Sequence, residues 1–277
     1  MRAEEIALVV AICRTRAGLE VAPEKTYLIE SRLAPVARRE GFETISELLE
    51  AIRARRQDAL IWATVEAMAA GETGFFRDRA PFQHLKDELI PRLARSRGGR
   101  GVRIWSAAAS SGQEVYSIAM IAAELMDAGA PLRIDLAASD LSSRALERAR
   151  AGLYDQFEVQ RGLPIRLLAR HFRKSDESWG LSETLRAMVR WRRINLIAGL
   201  AALGSFDVVF CRYVLGSMTR DAQRRVLEEL TAVVAEDGYL VLGLDEDVAG
   251  LAETFRPIVG RPGLYRRNPD FRAAAAA

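Results

Sequence analysis

Ile104-Trp105-Ser106-Ala107-Ala108-Ala109-Ser110-Ser111-Gly112-Gln113-Glu114 decides the fold of this chain. The segment opens inside an apolar strand over Val102 to Ser106, passes through a run of small residues and enters a helix. That helix spans Gln113 to Asp127, with Val115, Ile118, Ala119, Ala122 and Leu125 along one side. A strand that turns through small residues into a helix is the opening unit of an α/β sheet. Ligands of such sheets bind at the carboxyl ends of the strands. Small side chains let a ligand approach the backbone, Gly112 permits an unusual dihedral, and the helix start offers free amide donors. The loop has one glycine, so the Gly-x-Gly-x-x-Gly signature of dinucleotide binding is absent.

Downstream the alternation continues. Arg133 to Ala138 reads as a strand ending in Asp140, and Ser142 to Ala151 as a helix with Ser142 as cap. Phe206 to Cys211 is near-continuously apolar, as a strand buried on both faces should be. Thr219 to Ala235 follows as a helix, Tyr239 to Leu244 as a buried strand, and Leu264 to Arg267 as a last strand that closes an edge. The pattern predicts a mostly parallel, doubly wound sheet with helices on both faces. Residues 153–194 break it. Arg186 to Ile194 is partly alternating and suggests inserted antiparallel strands near residues 172–193. Asp140, at a strand end, can accept both ribose hydroxyls of a nucleoside, or it can cap the helix that follows. A carboxylate has two oxygens, so the two readings exclude each other only in part.

Upstream the chain reads as helices. Glu4 to Arg16 carries Ile6, Val9, Val10 and Cys13 at helical spacing and ends at Gly18. Pro23 and Glu24 suit the first turn of a second helix. That helix buries Ile29, Leu33 and Val36, and Lys25, Arg32 and Arg39 recur every seven residues on roughly one face. Pro35 predicts a kink or an end to its regular part, and Gly41 stops it. A third helix starts near Ser46 with Thr44 as cap, and a fourth spans Asp58 to Ala70. Pro81 to Arg95 reads as a helix broken at Pro91. The chain divides into a helical unit over 1–70, a linker and leading helix over 71–100, and an α/β unit over 101–277 that ends in a low-complexity alanine tail, Ala273–Ala277.

Composition bounds the function. Of 277 residues, 49% are hydrophobic and 28% charged, the balance of a globular protein. No run approaches the length of a membrane span, and Glu4 and Glu5 do not suit a secretory signal. Membrane insertion is not expected. Two cysteines, Cys13 and Cys211, imply no disulfide framework and fit a reducing cytoplasm, and two cysteines with two histidines are too few for a zinc site of those residues. Arginine dominates a net charge of +3. The arginines from Arg92 to Arg103 read as a solvated helix end, so no nucleic-acid partner is expected.

Further segments fall in a recognisable order. Gly71-Glu72-Thr73-Gly74-Phe75-Phe76-Arg77-Asp78 precedes the strand–loop–helix unit. Ala138-Ser139-Asp140, Arg144 to Tyr154, Arg161-Gly162-Leu163-Pro164, Asn195-Leu196 and Phe206-Asp207-Val208-Val209-Phe210-Cys211-Arg212 follow it. Together these resemble the CheR family of chemotaxis methyltransferases, which use S-adenosyl-L-methionine (SAM) to methylate receptor glutamates and release S-adenosyl-L-homocysteine. The resemblance covers nearly the whole chain. It implies a Rossmann-like SAM-dependent methyltransferase fold with a small antiparallel insert, preceded by a small all-α domain. It also implies that Thr73 and Arg77 contact the methionine end of SAM, that Glu114 binds a polar end of the cofactor and that Asp140 holds the ribose. Ala108 would line the cofactor loop, and Asn195, Leu196 and the Cys211-Arg212 region would flank the adenine or the methyl donor. Arg77 and Tyr213 are the candidate catalytic residues. Lys25, Arg32 and Arg39 would meet the cytoplasmic helices of a chemoreceptor. The short turn Ser175-Asp176-Glu177-Ser178-Trp179-Gly180 argues against docking of a receptor tail peptide.

The chemistry asks little of the side chains. A glutamate acceptor is already ionised at neutral pH, so no general base is needed, and the protein must align oxygen, methyl and sulfur and exclude water. On the acceptor side the chain departs from the family. Gly71 replaces an asparagine, Tyr213 stands where the family has asparagine, Ser217 where it has tyrosine, and Gly243-Leu244-Asp245-Glu246 replaces Gly-His-Ser-Glu. Two other readings follow. One is a degenerate family member that binds SAM or its product as a sensor or scaffold with weak or no turnover. The other is a methyltransferase for an unrelated small acid or nucleic acid.

Overall fold

The computed structural model describes residues 1–55, 57–69 and 71–271. The expected helix end at Ala70 and the alanine tail lie outside the described residues. The chain begins with four helices: α1 (Ala3–Ala17), α2 (Thr26–Arg39), α3 (Ile45–Arg55) and α4 (Asp58–Met68). Gly18 closes α1 with φ 65°. Pro23 does not start α2. It lies in a turn in which the Lys25 amide donates to the Ala22 carbonyl and the Thr26 hydroxyl to the Pro23 carbonyl. Nor does Pro35 end the helix, since α2 continues to Arg39. Its buried Ile29, Leu33, Val36 and Ala37 bracket the proline. Their packing with Val9, Cys13, Leu48, Leu49 and Val65 offsets the roughly 3 kcal/mol that an interior proline costs. Thr44 caps α3 as expected, accepting from the Glu47 amide at 3.2 Å.

Next come α5 (Ala80–His84), a π turn over Leu85–Leu89, and α6 (Ile90–Arg97). The break expected at Pro91 takes the form of this widened turn directly before it. The α/β unit then runs β1 (Val102–Ala107), α7 (Gln113–Asp127), β2 (Ile134–Asp140), α8 (Ser143–Ala151), β3 (Leu153–Asp155), α9 (Gln156–Gln160) and α10 (Ile165–His171). It continues through β4 (Phe172–Ser175), β5 (Ser178–Leu181), α11 (Glu183–Ala187), β6 (Val189–Arg193), β7 (Phe206–Cys211), α12 (Arg220–Val233), β8 (Val234–Val241), β9 (Phe255–Pro257) and β10 (Leu264–Arg267). The main sheet has the order β6-β2-β1-β7-β8-β10-β9. Its first five strands are parallel, and β10 runs antiparallel to both its neighbours, β8 and β9. The chain order reverses at β1, whose Ala107 pairs with Ser139 of β2 and Cys211 of β7. That register gathers three strand ends at one place. One apolar cluster lies on each face of the sheet, centred on Ile104, Val208 and Phe210 and on Trp105, Val209 and Leu240 respectively. The alternation of these residues along β1 and β7 is the two-residue period of a strand.

Two expectations for the sheet need correction. The antiparallel insert is β3-β5-β4, built from residues between 153 and 181, and its β4–β5 hairpin turns at Asp176 and Glu177. The stretch assigned to it from Arg186 onward is instead α11 and β6, and β6 pairs in parallel with β2 at the edge of the main sheet. Alternation showed that β6 is half-exposed, as an edge strand is, but not which way it runs. The last strand, β10, is not an edge either, because β9 covers it.

Candidate functional site

A cleft of about 1050 Å³ lies across the carboxyl ends of β1, β2 and β7, with α2, α4 and the residue 71–77 linker forming its other wall. The linker is fixed by its paired phenylalanines. Phe75 is buried against Tyr154 and Phe172, with edge-on ring centroids at 5.0 and 5.6 Å. The Phe76 amide donates to Ser117 Oγ at 2.9 Å. Gly162 makes room for this anchor, because a Cβ there would fall 2.2 Å from the Phe75 carbonyl oxygen. Thr73, Gly71 and Arg77 are thereby held on the cleft wall.

The β1–α7 loop turns through left-handed residues, Ala108 at φ 56°, Ser110 at 50° and Gly112 at 95°. Short side chains let the loop hug the strand ends, and Asp140 ties it there. Its Oδ2 accepts from the Ser110 amide at 2.8 Å and its Oδ1 from the Ser142 amide at 2.9 Å. The cap of α8 is Ser142 itself, whose Oγ accepts from Ala145 N. Asp140 therefore braces the loop rather than capping the helix, and each of its oxygens keeps a lone-pair direction for a ligand hydroxyl. Burial pushes its carboxyl above the usual carboxylate range against the pull of the Ser142, Ser110 and Leu141 amides.

At the floor lies a charge cluster. Arg212, almost wholly buried, donates from Nη1 to Glu114 Oε2 at 3.0 Å and from Nη2 to Asp78 Oδ2 at 2.6 Å and the Arg77 carbonyl at 2.9 Å. Ser106 Oγ donates to the other oxygen of Glu114 at 2.8 Å. Burial raises the Glu114 carboxyl above its ordinary value, with Arg212 and Ser106 opposing. The buried thiol of Cys211, in an apolar cluster, is likewise pushed up by burial.

Over the floor stand Arg77 and Tyr213. The Arg77 guanidinium lies 3.5 Å from the centroid of the Tyr213 ring, and its Nη1 donates to the Glu72 carbonyl at 3.0 Å. The Tyr213 hydroxyl donates to Asp78 Oδ2. Burial, then Asp78, raises the phenol above its usual range. Ser217 lines the cleft, but its Oγ donates to the Val214 carbonyl at 2.7 Å.

The structure thus brings together Thr73, Arg77, Ala108, Glu114, Asp140, Arg212 and Tyr213. It does not bring in Asn195 or Leu196. Asn195 Nδ2 donates to the Arg16 carbonyl at 2.6 Å, fastening α1 to the sheet, and Leu196 is buried in an apolar cluster. Of the basic row on α2, Arg32 and Arg39 line the cleft and Lys25 does not. Arg32 is tied to the Met68 carbonyl at 2.6 Å, which places it as a brace between α2 and α4.

Three residues escaped sequence reasoning as site residues. Glu66, on α4, accepts from Ser142 Oγ and from Arg193, both at 3.0 Å, and carries charge to the edge of Asp140. Asp78 joins Arg212 to Tyr213. Glu246 accepts from the amides of Tyr213 (2.6 Å), Gly243 (2.9 Å) and Gly216 (3.3 Å), and so staples the loop after β7. Asp78 and Glu246 close stretches that a motif reading already singles out, but nothing in those stretches names their partners. Glu66 had no signal, since its role depends on how α4 meets the sheet. Among the described residues no group of His, Cys, Asp or Glu could hold a metal ion, and no helix is long and apolar enough to cross a membrane.

Comparison with known proteins identifies the family. Residues 71–263 match the model of the CheR methyltransferase SAM-binding domain, and residues 4–68 that of the CheR methyltransferase all-alpha domain. Chemotaxis protein methyltransferase 1 of Pseudomonas aeruginosa is 36% identical over 258 residues, which cover 90% of this chain and 92% of that protein. Chemotaxis protein methyltransferase 1 of Vibrio cholerae is 35% identical over 253 residues, covering 90% and 91%. Among solved structures, the glycopeptide N-methyltransferase MtfA with bound SAM aligns over 65% of this chain and 66% of its own, at 15% identity and a TM-score of 0.35.

Proposed function

The chain belongs to the CheR methyltransferase family, and from that premise we propose that it transfers the methyl group of SAM to glutamate side chains of chemoreceptors. The observation that carries the proposal is the cleft at the strand-order reversal, with the Asp140-braced loop on one side and the Glu114–Arg212–Asp78 cluster beneath it. SAM bears a sugar diol, an ammonium, a carboxylate and a sulfonium. Asp140 suits the diol through the free lone pairs of its two oxygens. Glu114, raised by burial, suits a cationic group of the cofactor, because an incoming positive charge supplies what its surroundings lack. Arg77, with Thr73 beside it, suits the methionine carboxylate, which a guanidinium can hold through a planar fork.

The reaction needs no proton transfer before the methyl moves. The acceptor carboxylate attacks the methyl carbon as the bond from carbon to sulfur breaks, and sulfur leaves as the neutral thioether. The protein supplies alignment and a water-poor cleft. Arg39, at the cleft rim and paired with Glu40, would attract an acidic receptor helix, and facing charges raise encounter rates. The short β4–β5 hairpin favours recognition of the methylation helices themselves over docking of a tail peptide on the insert. The cytoplasm, where receptor signalling helices lie, is the compartment this reading requires.

Calorimetry with S-adenosyl-L-homocysteine and label transfer from SAM to a receptor signalling fragment test the proposal together. Saturable heat and base-labile label on glutamate are expected. Absence of heat at high micromolar ligand overturns cofactor binding, and heat without label leaves a SAM-binding protein that is not a receptor methyltransferase.

A further inference from the structure

We infer that Tyr213 works through its ring, as the platform that sets the plane of Arg77, and that its hydroxyl anchors the ring instead of meeting the reacting groups. The inference rests on the functional reading above and assigns a positioning role within that site.

The ring is held from several sides. Its hydroxyl is bound to Asp78, whose same oxygen receives Arg212 Nη2 at 2.6 Å, so the anchor is joined to the buried charge cluster. The backbone of Tyr213 adopts the left-handed region at φ 59°, uncommon for a residue with a side chain, and Glu246 holds its amide there at 2.6 Å. Gly243 leaves the space the ring occupies, since a Cβ at that position would lie 2.8 Å from Tyr213 Cε1. These contacts leave the ring little freedom, and the Arg77 guanidinium lies on it at 3.5 Å.

A guanidinium binds carboxylates in its own plane, through N–H groups that point outward from the edge. Stacking covers a face and uses none of those donors. One of them already reaches the Glu72 carbonyl. Contact with the ring therefore fixes the plane and leaves the rest of the fork to the cleft, and cation–π attraction adds to the hold. An asparagine at position 213, the residue of the family pattern, has no ring with which to do this. A hydroxyl given to Asp78 is a poor donor to anything else, and burial beside that carboxylate keeps the phenol protonated. The ring is the part of the residue free to act on the site.

The test compares Tyr213→Phe, Tyr213→Leu, Arg77→Ala and the Tyr213→Leu/Arg77→Ala double variant. Affinity for S-adenosyl-L-homocysteine, and kcat and KM for label transfer, are the readouts. Tyr213→Phe keeps the stack and loses the anchor, and should weaken product binding by about two- to threefold. Tyr213→Leu should weaken it by about tenfold or more. The double variant should be no weaker than Arg77→Ala alone, because the ring acts through Arg77. Losses from Phe as large as from Leu would give the role to the hydroxyl. Additive losses in the double variant would show the ring acting by itself. Either result overturns the inference. The ring-current shift of the Arg77 side chain, followed by NMR in wild type, Phe and Leu variants, reads the stack without ligand. Product binding with no such shift overturns this inference alone, whereas a wild-type protein that binds no product overturns the functional reading and this role with it.

Discussion

Glu5 and Glu114 are both buried glutamates that hold an arginine, yet their carboxyls move in opposite directions. Glu5, 2% exposed, is pulled down to about 2 by the Arg2 backbone amide, with the Ser46 hydroxyl and the Arg2 guanidinium assisting. Glu114, 9% exposed, is pushed up by burial despite Arg212 and Ser106. Depth explains most of the difference, since burial is the largest influence on Glu114 and is outweighed by hydrogen bonds at Glu5, and the two arginines differ in the same way. Arg2 is 61% exposed and stays solvated while it serves Glu5. Arg212 is buried and shared, because Asp78 takes one of its N–H groups and Glu114 another. A carboxylate that holds a fold together is fully compensated as an anion. On the proposed function Glu114 is left under-compensated for a cationic group of the cofactor, which would complete the balance.

The contrast breaks most sharply at Arg212. Arg212→Met removes the cation that Glu114 and Asp78 share, and should lower unfolding free energy by about 3–5 kcal/mol while abolishing cofactor binding. Denaturant melts with calorimetry on the folded fraction check both. A loss below about 1 kcal/mol would mean that Glu114 and Asp78 are better solvated than their burial suggests. Glu114→Gln is expected to separate function from stability. Product affinity should fall about tenfold or more, while the melting temperature falls much less than in Arg212→Met. A raised carboxyl makes the folded state lose stability as pH rises from the unfolded value through the higher folded one. That loss should vanish in the Gln variant, as melts across mildly acidic pH would show. Glu5 supplies the opposite sign and the smallest effect. Its stabilisation is present above the unfolded value of about 4.3 and is lost as pH falls toward 2. Glu5→Gln should therefore melt lower than wild type at pH 7, and the gap should close as pH drops from about 5 to about 2.

Cofactor wall and acceptor wall differ in the same spirit. Loop and Asp140 are joined by backbone amides to strand ends, which the parallel register holds rigidly. On the proposed function the acceptor wall is a loop, residues 213–217, held mainly by side chains from elsewhere, Glu246 on its amides and Gln223 on the Leu215 carbonyl. Substitution is easier to absorb there, and that is where the chain departs from the family pattern. Ser217, whose hydroxyl turns back to the Val214 carbonyl, presents a small surface where a tyrosine would stand, and Tyr213 brings a ring into the cleft from four positions earlier.

Much was written in the chain itself. Residues 102–107, 113–127 and 206–211 announce strand, helix and strand by local period, and Thr44, Ser142 and Thr219 announce helix starts through capping chemistry that acts within a few residues. The small-residue loop and the acid at the end of β2 could be recognised because their neighbours in sequence are also their neighbours in space. The direction of β6, the hydrogen bond of Asn195 to α1, and the partnerships of Glu66, Asp78 and Glu246 are visible only in the folded chain. Asp78 meets Arg212 across 134 positions of sequence, and Glu66 meets Arg193 across 127. Such pairings are fixed by how layers pack, and a charged residue carries no mark of which distant partner the packing will bring to it.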